Sequence, residues 1–163
     1  MIEQVWLIPL LPLIGAFING VFGSRMSKGT SGFIGCATVG IAFLIAVSIF
    51  VKLIGLPLAE RSVEINVYQW IASGSFTIDL SFLVDPLSTL MILVVTGVGF
   101  FIHVYSVGYM HHDSGFWRYF SYLNLFIFFM LMLVLGSNYL IMFLGWEGVG
   151  LCSYLLIGFW YHK

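Results

Sequence analysis

The sequence predicts an all-α polytopic membrane protein with about five transmembrane helices and a small β-hairpin between the second and third helices. The 163 residues are 61% hydrophobic and only 8% charged, with a mean hydropathy of +1.07, whereas soluble domains carry about 25% charged residues. Several apolar runs reach the length of a membrane span, and one intervening segment alternates polar and apolar residues as strands do. The composition excludes a soluble enzyme and, since no basic face exists, a nucleic-acid-binding protein.

Apolar runs of 18 or more residues predict the membrane-spanning helices. These helices cover about residues 5–22, 31–54, 83–110, 117–135 and 139–160, and we expect residues 1–163 to form a single membrane domain. Asp85 and Pro86 open the third helix as its N-cap and first helical residue. The link 136–138 is so short that the last two helices must be antiparallel neighbours.

The segment between the second and third helices predicts a β-hairpin over about residues 63–82. Polar and apolar residues alternate over 64–70 and again over 76–82, and a period of two is typical of strands. The sequence Ser73-Gly74-Ser75 between them predicts a turn. We expect this hairpin on the membrane surface; the alternative is an irregular loop whose alternation arises by chance.

Lysine and arginine in the short loops predict the orientation, because cytoplasmic loops carry an excess of them. One side of the predicted helices holds Arg25, Lys28, Arg118 and Lys163, and the other holds Lys52 and Arg61. We therefore expect an integral protein of a bacterial inner (plasma) membrane. Its N-terminus and hairpin are predicted to be periplasmic and its C-terminus cytoplasmic.

Glu147 is the one acidic residue predicted to lie within the lipid core. The other six of the seven acids map to loops or helix ends, whereas Glu147 is the ninth residue of the last predicted helix. A charge at the bilayer centre costs about 2.5–3.5 kcal/mol on translocon scales, and such residues are functional by default. Either a buried cation pairs with the carboxylate or the acid is protonated. In either case we predict that Glu147 carries protons. The alternative is that Glu147 is a structural residue whose carboxyl hydrogen-bonds a neighbouring helix.

Two kinds of residue surround Glu147 on the same helix. Tyr154 follows it by seven residues on the same face, and its hydroxyl is a candidate hydrogen-bond partner of the carboxyl. Gly145, Gly148 and Cys152 form a strip of small residues, and such strips let membrane helices approach closely.

The histidines supply further candidates. His103, near the middle of the third predicted helix, is a candidate proton relay because a neutral imidazole passes protons; the alternative is an interhelical hydrogen bond. His111 and His112 adjoin Asp113 at the end of that helix. These three form an incomplete ligand set for a metal, so we predict surface residues there and no metal site.

Several segments carry a resemblance to a known family. They are residues 84–91, 95–105, 122–126 (YLNLF) and 144–159 (LGWEGVGLCSYLLIGF). They resemble the third, fourth and fifth helices of subunit L (chain 5) of proton-pumping NADH–quinone oxidoreductase, an antiporter-like membrane subunit of respiratory complex I. The last segment is the most specific; the resemblance is strong over about residues 83–161 and loose over the first two helices and the hairpin.

The resemblance implies a proton-translocating membrane subunit with no redox cofactor of its own. In this family NADH, FMN, iron–sulfur clusters and quinone react in other subunits, and the energy released there drives protons through the membrane helices. Glu147 matches the family's ion-pair acid, whose cationic partner is a lysine on a later, broken helix. The family shares ancestry with Mrp-type cation/proton antiporters, so an antiporter subunit without redox coupling is the alternative function.

Family members are several-fold longer than this chain and contain further helices with those lysines. The resemblance therefore implies a fragment, the N-terminal part of subunit L, or half of a split subunit that a separate chain completes. The implied partners are the remainder of subunit L, other membrane subunits of complex I including other antiporter-like subunits, and the lipid bilayer. No nucleic acid is implied.

Overall fold

The computed structural model describes residues 2–74 and 76–161. Within them lie five helices long and apolar enough to cross a membrane and one antiparallel β-hairpin, which confirms the predicted fold class. The helices are α1 (Leu7–Phe22), α2 (Lys28–Gly55), α3 (Pro86–Tyr109), α4 (Phe116–Leu135) and α5 (Tyr139–Ile157), and the strands are β1 (Val63–Ser73) and β2 (Phe76–Val84). Short 3₁₀ turns extend both ends of α1 and the C-terminal end of α5.

Helix α2 begins at Lys28 and not at residue 31, where the apolar run begins. Ser27 is its N-cap, and the Ser27 hydroxyl accepts a hydrogen bond from the backbone N–H of Thr30 at 3.1 Å. This cap satisfies a free backbone donor and so fixes the start of the helix. The first turn of α2 is polar and therefore lies outside the apolar run that hydropathy detects. At the other end, Arg61 donates to the carbonyls of Leu56 and Ile54 at 2.8 and 2.7 Å, as cations do at helix C-termini.

Helix α3 begins at Pro86, the first helical residue that the sequence predicts, whereas the apolar run that indicates the span begins at about residue 83. Leu83 and Val84 belong to strand β2, and hydropathy does not separate an apolar strand end from an apolar helix start. The predicted cap is confirmed: Ser88 N–H donates to Asp85 Oδ1 at 2.6 Å, and Asp85 N–H donates to Ser88 Oγ at 2.9 Å. This reciprocal capping box ends the strand and starts the helix within one residue.

The hairpin pairs β1 with β2 from Val63 opposite Val84 to Ser73 opposite Phe76. Its register shifts twice within β1, as β-bulges do when one strand carries an extra residue. Gly74 in the turn has a φ of +61°, a left-handed conformation that glycine adopts without steric cost. The hairpin prediction is therefore confirmed, although Ser75 of the predicted turn lies outside the described residues.

Strand β2 is fastened to the link between α4 and α5. Phe82 forms a β-bridge with Gly136, and Ser137 N–H donates to the Ser81 carbonyl at 3.1 Å. The Ser81 and Ser137 hydroxyls also hydrogen-bond each other. The hairpin thus lies at one end of the bundle, here called the hairpin end.

The α1–α2 and α3–α4 links meet at the opposite end of the bundle. There the Lys28 ammonium donates to the His111 carbonyl at 2.9 Å. A Cβ at Gly23 would lie only 2.6 Å from Cβ of Trp117, so the α1–α2 link also touches the first turn of α4. The core is buried between α1, α2, α3 and α4, and α5 packs chiefly against α4, which leaves the outer side of α5 uncovered by the described residues.

Candidate functional site

Glu147 lies in the middle of α5, as the ninth of its 19 residues. Its side chain is exposed and forms no hydrogen bond or ion pair with another described residue. Because α5 has the length and hydropathy of a membrane span, this carboxyl stands at the depth where ionisation is most costly. The described part of the chain supplies no partner that would offset that cost.

An open groove of about 600 Å³ surrounds the Glu147 carboxyl, and we call it the α5 groove. Its lining comes from three elements, namely Trp70 of β1, Phe129 of α4, and Leu140, Phe143, Leu144, Glu147, Gly148 and Leu151 of α5. Among these lining residues Glu147 alone is ionisable. An apolar wall around one carboxyl strengthens any electrostatic interaction that forms there, since low polarity screens charge weakly.

The glycine strip explains why α5 lies so close to α4. A Cβ at Gly145 would lie 2.5 Å from the Leu133 backbone nitrogen, and one at Gly148 would lie 2.1 Å from the Phe129 ring. Cys152, one turn later, is fully buried. The predicted close approach of small residues is therefore present, and it turns Glu147 away from the contact with α4.

Asn138 anchors α5 at the hairpin end and was not among the site residues predicted from the sequence. Its side-chain oxygen accepts hydrogen bonds from the N–H groups of Leu140 and Ile141, both at 3.1 Å. Its amide nitrogen donates to the Asp79 carbonyl of β2 at 2.9 Å. An asparagine directly before an apolar run is a favoured N-cap. The capping role of Asn138 could therefore be predicted from the sequence, whereas its hydrogen bond to the hairpin could not.

Tyr154 does not meet the Glu147 carboxyl. Seven residues of helix separate the two by about 10.5 Å along the axis, and no hydrogen bond joins them in the described structure. Tyr154 is 75% exposed and lines a different cavity, at the end opposite the hairpin. The two candidate residues thus share a helix face without forming one site.

His103 is fully buried in α3, outside the α5 groove. Its ring packs edge to face against Phe120 of α4, with centroids 6.0 Å apart. Nδ1 lies 2.7 Å from the Gly99 carbonyl, so Nδ1 carries the proton that it donates. Nε2 is buried and has no hydrogen-bond partner in the described structure, which leaves a free acceptor inside the bundle.

Buried polar pairs join the other helices, and they too were missed from the sequence. Thr38 of α2 donates to Oδ1 of Asn124 of α4 at 2.9 Å, and Ser31 of α2 donates to Oδ1 of Asn19 of α1 at 2.8 Å. Such bonds hold membrane helices together. Asn124 lies inside the YLNLF segment. An amide side chain in an apolar run predicts an interhelical hydrogen bond, but it does not identify the residue that forms the other half of that bond.

The predicted surface histidines lie in the α3–α4 link. His111 and His112 are exposed, and the Asp113 carboxylate accepts hydrogen bonds from Gly115 N–H and Trp160 Nε1 at 2.7 and 2.8 Å. Within the described residues no group of three His, Cys, Asp or Glu side chains could hold a metal ion.

Comparisons with known proteins point to one family. A family model described as the N-terminus of NADH–ubiquinone oxidoreductase (complex I) chain 5 matches residues 70–120. NADH–quinone oxidoreductase subunit L of Mycobacterium tuberculosis strain H37Rv is 45% identical over 161 residues, 99% of this chain and 25% of that protein. Subunit L of Escherichia coli K12 is 45% identical over 93% of this chain and 24% of its own length. These matches confirm the resemblance to the N-terminal part of subunit L (chain 5).

The chain spans about a quarter of the length of these curated relatives. Among solved structures, an Mrp complex from Dietzia sp. DQ12-45-1b matches with a TM-score of 0.74 and 25% identity, over 94% of this chain and 16% of the matched chain. An archaeal membrane-bound sulfane sulfur reductase matches with a TM-score of 0.78 over 93% of this chain and 29% of the matched chain. At 18% identity the latter shows a shared fold only.

Proposed function

We propose that this chain forms the N-terminal five-helix part of a proton-translocating membrane subunit of a NADH–quinone oxidoreductase, and that Glu147 carries the proton. The similarity to subunit L over nearly the whole chain supports the assignment to this complex. The observation that carries the role of Glu147 is its position: a carboxyl in the middle of a membrane-length helix, in an apolar groove, with no partner among the described residues.

The proposed mechanism uses the two states of the Glu147 carboxyl. When protonated, the neutral acid tolerates the apolar groove; when ionised, it requires a cation in the groove, because an unpaired carboxylate there is costly. A cationic side chain from the remainder of the subunit enters the α5 groove and stabilises the ionised state. Movement of that cation toward and away from Glu147 then releases and reloads one proton.

The redox chemistry of the proposed complex takes place in other subunits, which hold NADH, FMN, iron–sulfur clusters and quinone. The names of the curated relatives, subunit L of NADH–quinone oxidoreductase, support the assignment to such a complex. Other membrane subunits, including antiporter-like ones, are the proposed neighbours of this chain. The uncovered outer side of α5 is consistent with such contacts.

We propose that the hairpin end faces the periplasm of a bacterial inner membrane. At the opposite end lie Arg25, Lys28 and Arg118, whereas the hairpin end holds Lys52 and Arg61. An excess of cations in short loops favours the cytoplasm, so the C-terminal end of α5 would be cytoplasmic. Lys163, which belongs to the same side in the sequence-based prediction, lies outside the described residues.

His103 is proposed as a second proton-handling group. It is buried, its protonated Nδ1 is held by Gly99, and its Nε2 is a free acceptor. A water molecule beside Nε2 would complete a relay, since a histidine accepts at one nitrogen and donates at the other.

The test of the proposed function replaces Glu147 by glutamine, which keeps the size of the side chain and removes its titration. In membrane vesicles that contain the complex, E147Q should lower the number of protons pumped per NADH oxidised about tenfold or more, with electron transfer from NADH to a soluble acceptor unchanged. The matched control is E60Q, because Glu60 is exposed in the loop before β1; its ratio should equal that of the wild type. Pumping by E147Q at the wild-type ratio would refute the proposal.

An Mrp-type cation/proton antiporter subunit is the second candidate, favoured by the structural match to the Mrp complex. The same vesicles decide between the two. A proton gradient that forms on addition of NADH supports the oxidoreductase. A proton gradient that forms on addition of Na⁺ or K⁺, but not on addition of NADH, supports the antiporter.

A further inference from the structure

A second cavity, of about 430 Å³, lies where the first turn of α4 meets the C-terminal end of α5. We call it the Arg118 pocket. Its lining includes one cation, Arg118, and three phenols, Tyr122, Tyr154 and Tyr161, beside the ring of Phe159. No acidic side chain is among the described lining residues. The chemistry of this lining is that of a receptor for an anion.

Arg118 is held in place by an aromatic ring and not by a carboxylate. Its guanidinium carbon lies 4.8 Å from the centroid of the Phe159 ring, a cation–π contact. The Phe159 ring is itself nearly buried and packs edge to face against Tyr119 at 5.6 Å and Tyr122 at 6.5 Å. A rigid aromatic wall thus positions the guanidinium group.

One donor of Arg118 has no acceptor. Its Nε is buried and without a hydrogen-bond partner among the described residues. Asp113 is the nearby acid; its oxygens accept from Gly115 N–H and Trp160 Nε1. Leaving a buried donor unsatisfied is costly, and the positive end of the α4 dipole makes the site still more favourable for an anion.

The pocket lies at the depth where lipid headgroups are expected. Tyr109 and Trp160, whose rings are 6.4 Å apart, are exposed at this end of the bundle, and so is Tyr161. Tyrosine and tryptophan concentrate at membrane–water interfaces. Ile157, between the lining residues Leu155 and Gly158, is also exposed, and so is Leu151, one turn nearer the middle of α5. Exposed apolar side chains of α5 thus continue from the pocket toward the membrane interior.

We propose that the Arg118 pocket binds the headgroup phosphate of an anionic phospholipid. The guanidinium fork matches two phosphate oxygens, the phenols of Tyr122 and Tyr154 donate further hydrogen bonds, and the acyl chains lie along the exposed apolar side of α5. A soluble phosphate ion shares the headgroup chemistry but gains nothing from the apolar surface. The lipid therefore occupies the pocket in preference to the free ion.

Native mass spectrometry of the solubilised membrane complex tests this site by titration with phosphatidylglycerol, with phosphatidylcholine as the neutral lipid. The wild type should bind phosphatidylglycerol more tightly, and R118Q should weaken that binding about tenfold, the equivalent of one charge-assisted hydrogen bond. The matched control is R25Q, which removes the same charge from an exposed residue at the same end of the bundle; its affinity should stay within about twofold of the wild type.

Two additions keep the test decisive. If R118Q fails to assemble, Y122F, which removes a single hydroxyl, should still weaken phosphatidylglycerol binding about threefold. Inorganic phosphate at millimolar concentration should not displace the lipid. Equal binding of the two lipids, displacement by phosphate, or unchanged affinity in both R118Q and Y122F would overturn the proposal; the last result would show that another protein segment pairs with Arg118. This readout does not depend on proton pumping.

Discussion

Asn138 performs two tasks with one side chain. Its oxygen caps α5, and its nitrogen holds the Asp79 carbonyl of the hairpin. The N–H groups of Leu140 and Ile141, which the cap satisfies, belong to the helix that carries Glu147. The position of the carboxyl relative to the hairpin therefore depends on a residue about two and a half helical turns away.

Replacing Asn138 by alanine should loosen the first turn of α5. Loss of an N-cap costs about 1 kcal/mol, which corresponds to about fivefold faster hydrogen–deuterium exchange at the amides of Leu140 and Ile141 in the intact assembly. The control is N66A, since Asn66 donates to Asp79 Oδ2 within the exposed hairpin and forms no hydrogen bond with α5 in the described structure. Equal exchange at these amides in N138A and wild type would contradict the capping role.

At the residue scale, the sequence predicts Glu147 but not its surroundings. A lone acid in an apolar run is visible without a structure. Its exposure to a groove depends on which face of α5 meets α4, and that follows from the Gly145 contact with the Leu133 backbone. Likewise, Thr38 and Asn124 lie 86 residues apart, and no local pattern pairs them.

The contact between helices α4 and α5 determines the shape of the α5 groove. At Gly145 an added methyl group would meet the Leu133 backbone nitrogen and Cα at 2.5 and 2.7 Å. Backbone atoms inside a helix cannot rotate away as side-chain atoms can. The two helices would have to separate, and the wall that Phe129 gives the groove would shift.

We expect G145A to destabilise the protein by about 1–3 kcal/mol through this overpacking. The matched control is G108A in α3, where an added Cβ meets nothing within 4 Å and alanine favours the helix. Thermal unfolding of the two variants in mild detergent measures the difference. A G145A protein as stable as G108A would show that α5 does not depend on this close approach.

At the element scale, hydropathy predicts the five helices because long apolar runs have few alternative structures in a membrane. It misplaces the ends of two helices. Ser27 starts α2 before the apolar run, and Leu83 and Val84 extend the strand into it. Helix ends depend on caps and pairing partners, to which an average over a window of residues is insensitive.

For the whole molecule, the described charges divide between the two ends of the bundle, and Glu147 lies between them. The apolar bundle, the hairpin fastened at one end and the Arg118 pocket at the other agree with a subunit placed across a membrane. In the proposed function, proton translocation is a property of a larger assembly, because this chain matches only about a quarter of subunit L. This chain would contribute the acid, and the remainder of the subunit its cation.

The most direct measurement of the central claim is infrared difference spectroscopy of the complex during NADH-driven turnover. If Glu147 carries protons, the spectrum contains a carboxylic-acid C=O band that changes during turnover, is absent in E147Q and persists in E60Q. A spectrum in which E147Q retains every carboxyl band of the wild type would contradict the account, because Glu147 would then keep one protonation state throughout.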